Sequence, residues 1–450
     1  MVAPMPKLRF TTDWQSTGSG PVEVRETSAF LTLHAGETVV TRNEDLWSKT
    51  LRDSVLVSTY PLASWLAASW WRLNWEPLPK QGGRPAADWR MAHEIGAANH
   101  GYVWPHVVFA SDNEVMQVWA TAPQSAQKQS VRYLAECAVS MPLGEFQAGV
   151  DEFISAVVRR LAAVGQGDSD LVQLWELVQA DRQDAEATRY RQIEAALGYD
   201  PDECPQDLIE QALDFNRAMG GRALAELAPL YGKFGPEPSL AALNELREQP
   251  GLLGKPAVPD LELAPPRSAA EPPWVRAVAA ACTLREAIGV GEGKVRNETL
   301  QDLLGLQGDD AVEHPEAGVK RPSGIGVLQA AGRFKFMPRK RHPVSRRFEL
   351  SRFIADLVQT RDTPQWLTST DLSTSRQKFQ RAFAAEFLCP IDELKEFLDG
   401  DYSESCIEDA AEHYDVSEHT VTSLLANHGL IQPPWAHGYG EETLPYALGV

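Results

Sequence analysis

The chain has 450 residues, enough for two or three domains at about 150 residues each, and its 43% hydrophobic and 23% charged composition leaves ample material for a globular core. Sixty-two acidic against 42 basic residues give a formal charge of -20, so the chain as a whole repels nucleic acid and anionic lipid. Five scattered cysteines without a CxxC pair exclude a disulfide framework and a cysteine-rich zinc site. The lack of any apolar run near ~20 residues excludes a membrane helix, so a cytoplasmic protein is expected.

Nine of the 13 tryptophans fall before residue 120, which predicts an N-terminal α+β domain over 1–141 whose aromatics fill a core. Alternation predicts strands at Phe30–Val40 and Val115–Trp119, with Ser111-Asp112-Asn113 as a hairpin turn. A helix is expected from Pro61, with Leu62, Trp65, Leu66 and Trp70 on one face. From Phe146 the period becomes helical, and Phe146, Val150, Phe153, Ile154, Val157, Val158 and Leu161 make one stripe. Further helices at Leu171–Ala180, Tyr190–Leu197, Gln206–Met219 and Ala223–Leu230 complete a helical region over 142–249. Seven prolines between Pro250 and Pro273 predict an extended, exposed linker over 250–273. A C-terminal domain over 274–435 and a tail over 436–450 follow, so the expected fold class is helix-rich α+β.

Catalytic motifs are few. His93-Glu94 opens like a HExxH zinc helix, but the second histidine position holds Ala97 and His100 lies almost two turns away, so His93 is expected as a polar residue on a partly exposed helix. Gly289-Val290-Gly291-Glu292-Gly293 follows a helical rather than a strand pattern and does not read as a phosphate loop. One basic cluster opposes the acidic whole: Arg333, Lys335, Arg339, Lys340, Arg341, Arg346 and Arg347 within fifteen residues, interleaved with Phe334, Phe336 and Met337. It reads as a solvated loop and edge strand, with a nucleic-acid or anion surface as the other reading.

The C-terminal third resembles the ImmA/IrrE family of metallo-endopeptidases. Leu284-Arg285-Glu286-Ala287-Ile288-Gly289 is similar to the family's opening LRxxLG helix, and Arg347-Phe348-Glu349-Leu350-Ser351 to the start of its RFxLAHELGH helix. Arg381-Ala382-Phe383 through Pro390 is similar to its ExxANxFAAELLMP signature, and Val416-Ser417 to the VS step of its helical tail. The resemblance implies a zincin-type α+β domain with a terminal helical subdomain, in a setting of regulation, stress response or phage defence where active relatives cleave DNA-binding repressors.

Laid on that pattern, Arg352 and Asp356 stand at the two zinc-binding histidine positions, Phe353 at the general-base glutamate and Gln377 at the third ligand. Arginine has no lone pair to offer and a carboxamide is a poor zinc ligand, so the resemblance implies a site without metal or other cofactor and without a catalytic residue. Arg352 and Asp356, four apart, are expected to form a helical ion pair. Ala411, Asp415, Val416, Val421 and Leu424 fit helix-turn-helix core positions. The stretch from Asp401 to Leu430 carries seven acidic residues and no Lys or Arg, which excludes phosphate contacts and predicts a structural role. The expectation is an inactive pseudopeptidase that binds a protein or peptide partner and touches no membrane. Two alternatives stay open: a metallo-endopeptidase with non-standard ligands, and a nucleic-acid-binding regulator using the 333–347 cluster.

Overall fold

The computed structural model describes residues 7–17, 20–79, 84–122, 130–233, 235, 240–263, 271–306, 321–360 and 364–432. The expected tail at 436–450 lies outside them. The described chain is mixed α and β with more helix than strand, in the expected class, and it forms two compact units that divide after Ile209.

The first unit begins β1 Leu8–Trp14, α1 Val22–Glu26, β2 Ser28–Ala35, β3 Thr38–Val39, β4 Asn43–Asp45, β5 Thr50–Arg52 and β6 Val55–Ser58. It continues α2 Tyr60–Ala68, α3 Trp70–Trp75, α4 Ala87–His93, β7 His106–Ser111, β8 Val115–Thr121, β9 Val131–Tyr133 and β10 Cys137–Pro142, and ends in α5 Leu143–Ala163, α6 Asp170–Gln183 and α7 Ala185–Ala196. Three antiparallel sheets result, ordered β1-β2-β3 with β6 also on β2, β10-β8-β7, and β5-β4-β9. Ala29, Leu31, Leu33 and Ala35 alternate inward along β2, as a half-buried strand requires. Asn113 takes the left-handed backbone (φ 75°) in the β7–β8 turn, a conformation asparagine tolerates.

The stripe on α5 is buried at Phe146, Val150, Phe153, Ile154, Val157 and Leu161, and Phe153 stacks on Phe10 of β1 at 4.2 Å. This packing joins the helices to the N-terminal sheets, so the expected break at 141/142 falls inside one core. Tryptophans 65, 70, 71, 89, 104 and 119 are buried, as expected of core aromatics, whereas Trp47 is 89% exposed. His93 departs from expectation. It is fully buried, stacked on Trp89 at 3.9 Å, with Nδ1 2.9 Å from the Phe109 carbonyl and Nε2 3.2 Å from Glu76. Glu76 in turn pairs with the buried Arg72, which also reaches Asp88 and Asp200.

Helix α8, Gln206–Met219, spans the division. The second unit continues α9 Gly221–Tyr231, α10 Ala241–Glu248, β11 Leu252–Gly254, α11 Pro273–Ala287, α12 Asn297–Leu304, β12 Gly324–Leu328, β13 Phe334–Met337 and α13 Pro343–Gln359. It closes with β14 Trp366–Ser369, α14 Ser375–Leu388, α15 Ile391–Leu398, α16 Glu404–Tyr414 and α17 Glu418–Asn427. Its antiparallel sheet runs β11-β13-β12-β14. The core joins Ala277, Ala280, Ala281 and Leu284 of α11 to Phe379, Phe383 and Phe387 of α14, whose rings stack one turn apart at 6.3 and 5.6 Å.

Two expectations fail here. The proline-rich stretch does not divide the units. Leu252–Gly254 pairs with Phe334–Phe336, Lys255 and Ala257 donate to the carbonyls of Gly305 and Leu303, and Leu252, Val258, Leu261 and Leu263 pack on the core. Proline forbids a helix but leaves an extended strap able to pair wherever its free N–H groups find carbonyls. Strand β13 is not an edge strand, because β11 covers its outer side. The terminal helices do follow expectation: Asp415 takes the left-handed position (φ 50°) between α16 and α17, and Ala411, Val416, Val421 and Leu424 are buried.

Gly149 gives a test of sign. Alanine at a helical glycine ordinarily stabilises by ~1 kcal/mol, but a Cβ at Gly149 would sit 2.3 Å from the backbone oxygen of Leu8. Gly149→Ala is expected to destabilise the first unit by about 1–3 kcal/mol, seen as a lower urea midpoint in tryptophan fluorescence.

Candidate functional site

The residues that the family pattern singled out lie on α13 and α14, and the structure brings three of the four together. Helix α13 is buried from Glu349 to Asp356, yet Glu349, Arg352 and Asp356 repeat at i, i+3 and i+7 along it. A polar stripe on a buried helix must find partners outside its own turn. Helix α14 supplies them. It is capped by Thr374, whose hydroxyl accepts from the Gln377 N–H at 3.2 Å.

Arg352, 3% exposed, donates through Nη2 to the carbonyl of Thr370 at 2.6 Å and to Oε1 of Gln377. The same Gln377 oxygen accepts from the Thr370 N–H at 2.9 Å, and its amide nitrogen donates to the Thr368 carbonyl at 3.4 Å. Asp356, wholly buried, takes both arms of Arg376: Nε to Oδ1 at 2.7 Å and Nη2 to Oδ2 at 2.6 Å. It also accepts from the Thr368 N–H at 3.1 Å. The expected Arg352–Asp356 ion pair is therefore replaced. A bidentate guanidinium–carboxylate fork across two helices is stronger than an i,i+4 contact in the weaker Arg-first order. Phe353 stands apart, its ring 5.7 Å from Phe336 in the core.

Helix α9 adds a residue far outside the family-like segment. The Glu226 carboxylate accepts from the Thr374 hydroxyl at 2.7 Å, and burial raises its pKa against the pull of Arg376. Burial depresses Arg376, but Asp356 more than reverses this and holds it above the usual arginine range. Burial, with Arg381 and Arg339 nearby, pushes Arg352 down to about 9.

The basic cluster disperses. Arg339 is held by Glu349 at 3.1 Å, by Asp371 and by the Pro322 carbonyl at 3.0 Å. Arg346 and Arg347 are buried, and Arg347 donates to the Val295 carbonyl at 2.7 Å and to Asn297. Lys335 reaches the backbone carbonyls of Arg247 and Gln249, and Lys340 is half-buried, its N–H donating to Glu349 at 2.9 Å. Arg333 and Arg341 alone of the seven are exposed, and a phosphate track needs a row of free cations.

Zinc chemistry requires donors with free lone pairs. Both Asp356 oxygens are committed to Arg376, Gln377 Oε1 accepts from the Arg352 guanidinium, and a guanidinium offers a metal no lone pair, so this donor set does not fit a zinc ion. Among the described residues no three His, Cys, Asp or Glu side chains converge as a metal cluster. Sequence reasoning missed Arg376 and Glu226, and named Arg381 only as the start of a family-like motif. The signal for the two arginines was the polar spacing Arg376, Gln377, Gln380 and Arg381 on a helix that also carries the Phe379, Phe383 and Phe387 stripe. Comparison with family models, curated proteins and solved structures finds no match to this chain.

Two measurements probe buried charges on α13 and α14. Asp356→Asn removes the carboxylate forked to the buried Arg376 and is expected to cost about 3–5 kcal/mol in urea unfolding, with Asp356→Leu/Arg376→Met recovering much of it. Glu386, 3% exposed on α14, is pushed up to about 7 by burial, against the N–H of Ile391. A carboxyl raised in the folded state binds extra protons there, so its stabilisation is full below about 4.5 and is lost as pH rises toward about 7. The loss is of order 3 kcal/mol, and Glu386→Gln should flatten that limb of a stability–pH curve.

Proposed function

We propose that the second unit is an inactive pseudopeptidase of the ImmA/IrrE kind, used as a protein-interaction or sensor module in bacterial regulation, stress response or phage defence. The observation that carries the reading is that the ligand positions are already engaged. Arg352 bonds Gln377 and Asp356 is forked to Arg376, so the groups a metal would need are spent on arginine hydrogen bonds. Phe353, in the base position, is a core aromatic with no proton to move. Zinc hydrolysis draws its nucleophile from metal-bound water with a pKa near ~7, and without the ion that nucleophile is lost. The partner is a protein or peptide rather than nucleic acid, a reading supported by the acidic terminal helices and the engaged basic cluster, and the setting is cytoplasmic.

Elemental analysis after purification in metal-free buffer is expected to find substoichiometric zinc, and thermal unfolding is expected to ignore a chelator. Arg352→Ala should shift stability or partner binding without changing turnover of any protein substrate. One tightly held zinc per chain, or proteolysis abolished both by chelation and by Asp356→Ala, would overturn the reading in favour of an active metallopeptidase.

A further inference from the structure

Strand β1 is the longest edge strand among the described residues, and it pairs with β2 on one side only. The register is unbroken from Leu8 opposite Ala35 to Trp14 opposite Ala29. The Gly36 N–H donates to the Lys7 carbonyl at 3.0 Å and the Gln15 N–H to the Ser28 carbonyl at 2.8 Å, which makes the odd-numbered residues of β1 the ones that bond β2. Backbone groups of Leu8, Phe10, Thr12 and Trp14 therefore point away from the sheet. Helix α5 covers the first of them, since a Cβ on Gly149 would sit 2.3 Å from the Leu8 oxygen. Among the described residues nothing hydrogen-bonds the outward N–H and C=O groups of Phe10 and Thr12. Proteins blunt such edges with proline, lysine, bulges or short strands, and the seven residues of β1 include none of these devices.

The side chains supply an independent observation. Arg9, Thr11 and Asp13 are exposed on the outer face of β1, and the two charges are of opposite sign and equally spaced about Thr11. Outward backbone groups bond only to other outward groups, so an antiparallel pair of β1 strands must set even residues against even ones. A two-fold axis at Thr11 satisfies this. It places Phe10 opposite Thr12 of a second copy, Leu8 opposite Trp14, and Arg9 opposite Asp13 on each side of the axis. An axis at Phe10 would call on the covered groups of Leu8, and an axis at Thr12 would set both charges against neutral side chains. The edge is thus complementary to itself in one register, as an isologous contact requires.

We propose that β1 is a self-association surface, along which two copies of this chain pair antiparallel about a two-fold axis at Thr11. Backbone hydrogen bonds exchanged between Phe10 and Thr12 join the sheets, and an Arg9–Asp13 ion pair on each side of the axis fixes the register. The half-buried Phe10 and Trp14 come beside Thr12 and Leu8 of the second copy, which adds apolar burial. The surface belongs to the first unit and does not depend on the pseudopeptidase reading.

The test is sedimentation of the full chain, expected to show a monomer–dimer equilibrium between roughly 1 and 200 µM, the range of a small interface. Asp13→Arg sets like charges across the axis and should weaken dimerisation about tenfold. Exchanging the charges, as Arg9→Asp/Asp13→Arg, should restore it, which a damaged fold would not do. Thr12→Pro removes an outward N–H without touching a bond to β2, and should abolish the dimer while leaving Tm near that of the wild-type monomer. Thr11→Cys brings two thiols to a non-hydrogen-bonded pair with Cα atoms ~4.5 Å apart, within disulfide reach. Diamide should then give a covalent dimer that wild type, with its five cysteines, does not form. A wild-type monomer at about 200 µM would leave the edge to a strand of some other protein and overturn pairing between copies. A dimer unmoved by Asp13→Arg and by Thr12→Pro would place the contact elsewhere and overturn it as well.

Discussion

The second unit depends on the requirement that charges buried between α13 and α14 be paired. Asp356 and Arg376 are 0% and 11% exposed, and removing either from water without the other carries a penalty of several kcal/mol per ion even after relaxation. The pairing fixes more than two side chains. Asp356 also takes the Thr368 N–H of β14, Gln377 takes the Thr370 N–H, and Arg376 reaches back to the Arg222 carbonyl on α9. One shift in register between the helices would strand several groups at once, so the polar seam selects a single arrangement where stacked phenylalanines alone would allow slippage.

The neighbouring packing accommodates that seam. A Cβ on Gly324 in β12 would come within 2.6 Å of Glu349 Oε1, so the strand yields space to the carboxylate that holds Arg339. Gly326 leaves room in the same way for Leu367 and Phe336 across the sheet. Small residues on the sheet and a polar stripe on the helix are two sides of one fit.

Periodicity made much of this fold legible. Alternation over Phe30–Val40 found most of β2 but ran through the turn into β3, the Ser111-Asp112-Asn113 turn located the β7–β8 hairpin, and the 3.6-residue stripe located α5 almost in full, because each signal is local and the tertiary structure uses it directly. The proline-rich stretch misled for the opposite reason. Proline density says that a segment is extended and says nothing of whether a distant strand such as β13 waits to pair with it. The limit recurs at His93, whose partners Glu76 and Phe109 are 17 and 16 residues away, and at Asp356, whose nearer candidate Arg352 lost to Arg376 twenty residues on. Spacing identifies which polar residues share a helix face, but the competition among partners is decided by elements that sequence order does not bring together.

The basic cluster shows why charge counts mislead in the same way. Arginine couples a long apolar stem to a planar fork of donors, so it serves buried carbonyls and carboxylates as readily as a phosphate backbone. Arg347 ends on the Val295 carbonyl and Arg339 on Glu349, and these side chains are spent on holding the fold. A guanidinium is also a cation that never needs loading. Arg352 supplies its bonds to Gln377 and to the Thr370 carbonyl without any ion having to bind first. The bond from α13 to α14 is thus part of the fold itself, set by two side chains that the chain always carries.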